Sequence, residues 1–341
     1  MMTVENLEKE LKNNELKSLY FLYGEETFLL ESCLKKIKTL FGECIKGINC
    51  INIDETNYKE LIAEIETPAF GYEKKLIIVR NSGLLKNDGK RKNVDITNAR
   101  EKLVDFIEKN MDMINLSTVI VFIEENADSR FKIYKTLDKL GVVCKFDLQK
   151  QIAIEKRISA ICTGYKVKID GPTLKYFIEC CGLNMQDLIN EIRKLIEYVG
   201  EAGQIKKDDI DLLSIKKLES IIFDLTDSFG KKDIKKALDV LNNLIYAKEP
   251  IQKILITLYN HFKKIYITKL ASKYNKDVAT SLELKPNQAF LVGKYKMQAN
   301  YFQESELKEV LQCLRDLDYQ YKNGLIDLQV GLESILCKYC S

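Results

Sequence analysis

The hydrophobic pattern of the chain changes near residue 147, and this change most limits what the chain can fold into. Before it, five short apolar runs rich in Val, Ile, Phe and Tyr alternate with amphipathic stretches; after it, helical spacing dominates. Buried strands have this composition, and strands that alternate with helices form parallel βαβ units. We therefore predict an α/β N-terminal domain with a parallel sheet. Its predicted strands are 19–23, 48–53, 76–80, 118–123 and 142–146.

The same pattern predicts three domains. The α/β domain, 1–147, has predicted helices at 27–41, 57–66, 97–110 and 130–140, and its polar stretch 86–95 is predicted to be an exposed loop. The segment 148–213 contains a helix at 149–162 and two further amphipathic stripes, which indicates a small three-helix domain. The remainder, 214–341, is predicted to be an all-α domain. Its predicted helices are 218–230, 233–247, 251–272, 287–297, 304–321 and 327–338.

Composition limits the class of protein. The 341 residues include 53 basic and 50 acidic side chains, and this near balance argues against a dedicated basic DNA-binding domain. The apolar runs are shorter than the roughly 18 residues of a membrane span, and the charged segment 1–14 lacks the apolar core of a signal peptide. We expect a cytoplasmic protein without membrane contact, whose ten cysteines are reduced thiols.

Few residues could hold a metal or carry histidine-dependent catalysis. A lone Cys-x-x-Cys pair, Cys337 and Cys340, and the single histidine, His261, fall short of the four ligands of tetrahedral zinc. His261 lies in a predicted helix rich in lysine and aromatic residues, and we expect it to be exposed or partly buried. Adjacent Cys180 and Cys181 indicate helix packing. No catalytic residue, metal or cofactor is therefore predicted.

The turn after the first predicted strand occupies the place of a phosphate-binding loop. A P-loop needs glycines whose N–H groups cradle phosphates, a lysine for the β and γ phosphates, and Ser or Thr for Mg²⁺. Here the turn supplies Gly24, Glu25 and Glu26 and no lysine. The two carboxylates take the favourable position at a helix start and would repel a triphosphate. We predict a degenerate P-loop without ATP hydrolysis; a carboxylate pair such as Glu124-Glu125 is no sign of catalysis by itself.

One loop stands out between a predicted helix and the strand at 76–80. It runs Thr67-Pro68-Ala69-Phe70-Gly71-Tyr72, with a turn fixed by its proline and glycine and with Phe70 at the tip. The aromatic ring could fold back onto the core. Alternatively, it is an exposed anchor for a pocket on a partner, as aromatic hot spots are. The residues alone leave both interpretations open.

Six segments, in order along nearly the whole chain, resemble the delta subunit family of bacterial DNA polymerase III clamp loaders. No single segment is highly specific, but the ordered set is. The segments are LYFLYGEETFLLES (19–32), TPAFGYEKKLIIVRN (67–81), SRFKIYKTLDKLGVVCKFD (129–147), GLNMQDLINEIRKLIEYVG (182–200), IIFDLTDSFGKKDIKKALDVLNNL (221–244) and QANYFQESELKEVLQCLRDLDYQYKNGLID (298–327).

The resemblance implies an AAA+-like α/β domain with a degenerate P-loop, a small helical lid domain and a helical collar that assembles with tau/gamma and delta prime subunits. It implies binding of the beta sliding clamp, contact with primed DNA in the assembled complex, and no catalytic site in this subunit of a DNA-directed DNA polymerase holoenzyme. By position, Phe70 would be the main clamp anchor. Ala69 stands where the family often has a larger apolar residue, for which Pro68 or Tyr72 could compensate. The Ser-Arg-Cys motif and zinc cysteines of delta prime are not found.

Two alternatives from other classes remain. The first is an active P-loop-like nucleotide-dependent enzyme, which nucleotide titration with Mg²⁺ would identify. The second is a helical DNA-binding protein that uses the lysine-rich segments 263–264 and 294–296. Salt-dependent binding of the isolated chain to primed DNA would identify it, although a solvated helix face is the simpler interpretation of these lysines.

Overall fold

The computed structural model describes residues 1–86 and 94–340. These residues form two compact units, one ending at Leu148 and the other beginning at Gln149. That boundary lies one residue from the predicted end of the α/β domain, whereas the predicted further division after residue 213 stays a prediction. Among the described helices, none combines the length and apolar character that crossing a bilayer would require.

A five-stranded parallel sheet is the centre of the first unit. Its strands are β1 (Leu19–Tyr23), β2 (Cys50–Ile53), β3 (Lys75–Arg80), β4 (Thr118–Glu124) and β5 (Val142–Lys145). They pair in the order β2-β3-β4-β1-β5. Every residue of β1 and of β4 is buried, because helices cover both faces of the sheet.

Within the described residues, five α-helices form the two outer layers of the first unit. They are α1 (Val4–Lys12), α2 (Thr27–Phe41), α3 (Leu61–Glu66), α4 (Val94–Ser117) and α5 (Lys132–Leu140). Leu11 of α1 and Leu34 of α2 belong to the core on one face of the sheet. Ile65 of α3, Ile107 of α4 and Leu137 of α5 belong to the core on the other face. The unit is thus a three-layer α/β/α structure.

Several predicted elements of this unit have different bounds in the structure; the helix predicted from residue 57, for example, begins at Leu61. The strand predicted from residue 48 begins at Cys50, because three backbone N–H groups, among them those of Ile48 and Cys50, donate to the carbonyl of Ile45 in a turn. Helix α4 continues past the predicted end at Asn110, where non-helical angles (φ −118°, ψ 22°) mark a kink. Of the predicted loop 86–95, residues 87–93 lie outside the described residues.

Cys44 and Cys50 are paired as a disulfide at the entry to β2. The expectation that all ten cysteines are reduced is therefore wrong for this pair. Their separation of six residues across the turn before β2 brings the two Cα atoms to 5.4 Å, a normal distance for a disulfide. Spacing alone did not indicate the pairing, because the second half of the turn that brings the two side chains together was predicted as strand.

The second unit consists mainly of helices. They are α6 (Gln151–Gly164), α7 (Gly171–Cys181), α8 (Met185–Val199), α9 (Lys207–Leu213), α10 (Leu218–Gly230), α11 (Ile234–Tyr246), α12 (Ile251–Lys273), α13 (Val278–Ser281), α14 (Leu291–Ala299), α15 (Glu304–Lys322) and α16 (Leu328–Cys340). Helices α10 to α16 share one hydrophobic core. Cys180 and Cys181 are buried at the end of α7, as predicted.

Two features of this unit were not expected. A parallel pair of two-residue strands, β6 (Lys168–Ile169) and β7 (Gln204–Ile205), lies among the first four helices. Such short strands carry too little periodicity to be recognised in a sequence. His261 of α12 is only 5% exposed, so the expectation of an exposed or partly buried side chain is wrong. Helix α12 packs against α10, α14, α15 and α16, and His261 lies on the side of α12 that these contacts bury.

Candidate functional site

The loop between α3 and β3 presents Phe70 at its tip. Thr67 ends α3, with its backbone N–H and its hydroxyl both donating to the carbonyl of Ala63 (3.0 and 2.7 Å), and the proline that follows prevents helical continuation. The N–H of Tyr72 donates to the carbonyl of Ala69 (3.3 Å), which closes a four-residue turn. Gly71 has φ +77°, as the third residue of a type II turn requires.

The Phe70 ring is 90% exposed. It therefore does not fold back onto the core, which was the first of the two interpretations that the sequence left open. Ala69 and Tyr72 are half-buried beneath it, whereas Pro68 and Gly71 are exposed. A large apolar ring held in solvent on a closed turn is the form that an anchor for a partner's pocket takes.

A buried lysine, which sequence reasoning did not identify, fixes the base of this loop. Lys75, the first residue of β3, is 3% exposed. Its Nζ donates to the carbonyl of Glu64 (2.9 Å) and pairs with the Glu64 carboxylate (3.1 Å). Glu64 lies on α3 and Lys75 on β3, so this pair joins the two ends of the loop and holds its stem closed.

In the turn after β1, which was predicted to be a degenerate P-loop, backbone N–H groups donate to carbonyl groups of the protein itself. The N–H of Gly24 donates to the carbonyl of Glu124 (3.2 Å), and that of Glu26 donates to the carbonyl of Phe146 (3.0 Å). Gly24 has φ +137°, and a Cβ at this position would lie 2.2 Å from the Phe146 oxygen. Glu26 is buried at the start of α2, and Glu25 is exposed. These N–H groups are therefore not available as a cradle for phosphate.

Glu124, at the end of β4, makes hydrogen bonds that stabilise the fold. Its side chain is buried and accepts hydrogen bonds from the N–H (2.9 Å) and the hydroxyl (3.0 Å) of Ser82. Burial raises the pKa of this carboxyl, and the hydrogen bonds from Ser82 oppose the shift. These bonds tie the segment after β3 to the end of β4. The neighbouring cleft is lined by groups of both charges, among them Asp54, Arg80 and Glu125.

The other side chains that were candidates for chemistry either make structural contacts or lie too far apart to form a site. Burial lowers the pKa of His261 to about 4, so the ring is neutral near neutral pH. Lys294 pairs with Glu179 (2.7 Å), and Lys264 lies 6.0 Å from the centre of the Tyr295 ring. Cys337 is exposed. Within residues 1–86 and 94–340, no group of three or more His, Cys, Asp or Glu side chains is placed to hold a metal ion.

One end of the helical bundle in the second unit exposes several large apolar side chains. The last turns of α11 and α15 and the first turns of α12 and α16 meet there, as the hydrogen bond from Gln252 Nε2 to the Tyr321 hydroxyl (2.6 Å) shows for α12 and α15. The exposed side chains at this end are Tyr246 (89%), Tyr319, Leu325 (72%) and Val330. We call these four residues the bundle-end patch.

Known proteins match the chain in both units. Residues 20–147 match the family described as DNA polymerase III, delta subunit, and residues 219–339 match its C-terminal domain. The chain is 27% identical over 337 residues to the DNA polymerase III subunit delta of Bacillus subtilis (strain 168), covering 96% of this chain and 94% of that protein. It is 26% identical over 313 residues to the probable DNA polymerase III subunit delta of Aquifex aeolicus (strain VF5), covering 88% and 85%.

A solved structure extends the similarity to the fold. The Bacillus subtilis DNA clamp loader delta protein matches with a TM-score of 0.73 at 25% identity, over 99% of both chains. This match confirms the predicted fold class, a parallel α/β domain followed by helical domains. The family matches on both units confirm the resemblance noted in the sequence. The chain therefore belongs to the DNA polymerase III delta subunit family, the delta subunits of bacterial clamp loaders.

Proposed function

We propose that this chain binds the beta sliding clamp during DNA replication and opens it, without hydrolysing ATP itself. The observation that carries the proposal is the Phe70 ring, which a closed turn holds in solvent. Family membership gives the context, since relatives of this chain are named as subunits of DNA polymerase III.

Phe70 acts as the anchor in an apolar pocket of the clamp. Complete burial of such a ring contributes roughly 1.5–3 kcal/mol from area alone. Ala69 adds little area, and Tyr72 and Pro68 supply the apolar surface around the anchor. Thr67 and Gly71 set the shape of the turn through the end of α3 and the positive φ. The loop thus presents one large side chain on a small, fixed platform.

Clamp opening follows from differential binding. A ring that opens transiently is captured by a partner with higher affinity for the open form, and the equilibrium shifts only by the ratio of the two affinities. Nothing in this step requires a bond to be broken by the delta subunit. The N–H groups of Gly24 and Glu26 already donate to carbonyl groups within the protein, and two carboxylates lie beside them. Both features support the proposal that the chain binds no triphosphate at this position.

The second unit would provide assembly with the other clamp-loader subunits, tau/gamma and delta prime. The bundle-end patch supports this part of the proposal, because apolar side chains as exposed as Tyr246 and Leu325 mark interaction surfaces when they lie together. Primed DNA would be contacted within that assembly, and the complex would operate in the cytoplasm.

The test is release of the clamp from DNA. We expect the purified chain to release beta clamp that has been loaded on nicked circular DNA, with no nucleotide present. Phe70→Ala removes the anchor, and the clamp affinity is expected to fall by roughly tenfold to a hundredfold, as for a hot-spot aromatic. The readout is the amount of clamp that remains on the DNA after gel filtration.

The matched control is Leu212→Ala, which removes an apolar side chain that is 69% exposed at the end of α9. Its release activity is expected to equal that of the unsubstituted chain. If the chain releases no clamp without ATP, or if Phe70→Ala releases clamp as well as the control does, the proposed function is wrong.

A further inference from the structure

The strands on either side of β3 place two more exposed apolar side chains beside Phe70. Parallel strands start at the same edge of a sheet, and β3 lies between β2 and β4. Ile48 comes two residues before β2 and is 44% exposed; Leu116 comes two residues before β4 and is 77% exposed. Phe70 comes five residues before β3. All three side chains therefore lie at the edge where the strands begin, which we call the amino edge.

Hydrogen bonds connect the segments that carry Leu116 and Ile48 to β3 and to the residue just before it. Lys74, just before β3, donates from Nζ to the carbonyl of Asn115 (3.3 Å), the residue before Leu116. On the other side, the N–H of Leu76 donates to the carbonyl of Asn49 (2.7 Å), the residue after Ile48. Because adjacent strands lie about 4.8 Å apart, the segments carrying Ile48 and Leu116 flank β3 across a width of roughly 10 Å.

Each of the two flanking side chains is carried by a fixed segment. The turn at Ile48 is held by Asn49, a buried side chain whose Oδ1 accepts from the N–H of Ile45 (2.7 Å) and whose Nδ2 donates to the carbonyl of Glu43 (2.8 Å). Leu116 lies in the last turn of α4, which the buried side chain of Ile114 attaches to the core. Both side chains are thus held in solvent by segments that are packed at their base.

We infer that Ile48 and Leu116 are part of the surface that binds the clamp, on either side of the Phe70 anchor. This inference rests on the proposed function and names further contacts of the same site. A specific protein interface buries about 800 Å² on each partner, whereas one aromatic side chain supplies about 150–250 Å². A partner that takes up the Phe70 ring must therefore cover its surroundings as well, and Ile48 and Leu116 are exposed apolar side chains just before the strands to either side. Leu116 in particular supplies area that Ala69 lacks.

The experiment measures the affinity of the full chain for the beta clamp of the same organism, immobilised on a sensor surface. Leu116→Ala is expected to raise the Kd about tenfold. Ile48→Ala is expected to raise it about threefold, because the Ile48 side chain is the less exposed of the two. Leu116→Met keeps the apolar volume and is expected to stay within about twofold of the unsubstituted chain. The matched control is Val94→Ala, because Val94 is 66% exposed in the first turn of the same helix, at the opposite end from Leu116.

The outcomes separate this inference from the proposed function. If Phe70→Ala weakens binding while Leu116→Ala and Ile48→Ala behave like Val94→Ala, the inference is wrong and the proposed function stands. If Phe70→Ala leaves the affinity unchanged, both are wrong. If the flanking substitutions alter only the sedimentation of the chain alone, the amino edge is a contact between copies of this chain, and the inference is again wrong.

Discussion

His261 lies at the centre of a buried polar group in the second unit. Its Nε2 is 2.7 Å from Oε1 of Gln298, and Gln298 donates from Nε2 to Asp227 (2.6 Å) and to the carbonyl of Phe223 (3.1 Å). Burial lowers the pKa of His261 to about 4, and the nearby Lys264 lowers it further while the bond to Gln298 opposes the shift. The ring is therefore neutral in the folded chain over most of the pH range.

The folded-state pKa of His261 lies below its ordinary value of 6.5, which makes stability depend on pH. As the pH falls below about 6.5, the unfolded chain binds the proton first, so the stability given by the neutral ring is lost progressively until about pH 4. Between about pH 7.5 and about pH 5.5, titration of His261 is expected to lower the unfolding free energy by about 1 kcal/mol. The His261→Gln chain should not show this part of the loss. Urea titrations of both chains at the two pH values measure this difference.

His261→Gln keeps a hydrogen-bonding side chain and removes only the titration. If both chains lose the same unfolding free energy between the two pH values, then the imidazole does not contribute to the pH dependence, and the ring is not held neutral by the folded structure. Carboxylates titrate equally in both chains and cancel in the comparison.

His261 and Lys75 show why single residues were hard to place from the sequence. A lysine at a strand start and a histidine shortly before two lysines both suggest solvent, yet both side chains are buried. Their partners, Glu64 and Gln298, lie on other elements, so only the packing of those elements brings the pairs together. For Phe70 the sequence indicated part of the answer, because Pro68 and Gly71 predicted the turn but left open whether the ring lies in solvent.

The turn from β1 to α2 depends on a glycine, Gly24. Gly24 combines a φ of +137° with a position where a Cβ would lie 2.2 Å from the Phe146 oxygen. Gly24→Ala must therefore move β5 away from β1 or change the turn. We expect it to lower the unfolding free energy by about 2–4 kcal/mol, from backbone strain and overpacking together. Urea unfolding followed by circular dichroism measures the change.

Gly164→Ala is the matched control for this element. Gly164 ends α6 with open space where a Cβ would stand, and alanine is favoured over glycine in a helix. Its effect is expected to be within about 1 kcal/mol. Equal effects of the two substitutions would mean that the contact between Gly24 and Phe146 does not constrain the turn.

The elements themselves could largely be predicted, because period and composition determine them locally. The five strands were recognised from continuous apolar runs, and the change to helices after residue 147 was clear. The failures have local causes: the turn at Ile48 has the residues of a strand, and α4 continues through its kink at Asn110. Strand order, and with it the approach of Ile48 and Leu116 to Phe70, depends on pairing between distant segments and was not accessible from periodicity.

At the scale of the whole molecule, the two units are expected to carry separable functions. Tyr246→Ala combined with Leu325→Ala removes apolar area from the bundle-end patch, which we assign to assembly. We expect this variant to lose co-purification with tau/gamma and delta prime, with an affinity at least about tenfold lower. Its ability to release clamp from nicked circular DNA as an isolated chain is expected to persist. Gel filtration of the reconstituted complex measures assembly.

Phe70→Ala is the reciprocal variant in the same experiment, since it should assemble normally and fail to release the clamp. If the bundle-end substitutions leave assembly intact, the patch is not the collar interface. If they abolish clamp release by the isolated chain, the two functions are not divided between the units.

The closed stem of the Phe70 loop has a consequence for the kinetics of recognition. Because Lys75 and Glu64 join the ends of the loop, its conformational entropy is lost when the chain folds and not when the partner arrives. Encounter then requires no rearrangement of the loop, and productive collisions are limited mainly by orientation. The lifetime of the bound state, set by how well Phe70 and its neighbours are covered, becomes the quantity that distinguishes a strong complex from a weak one.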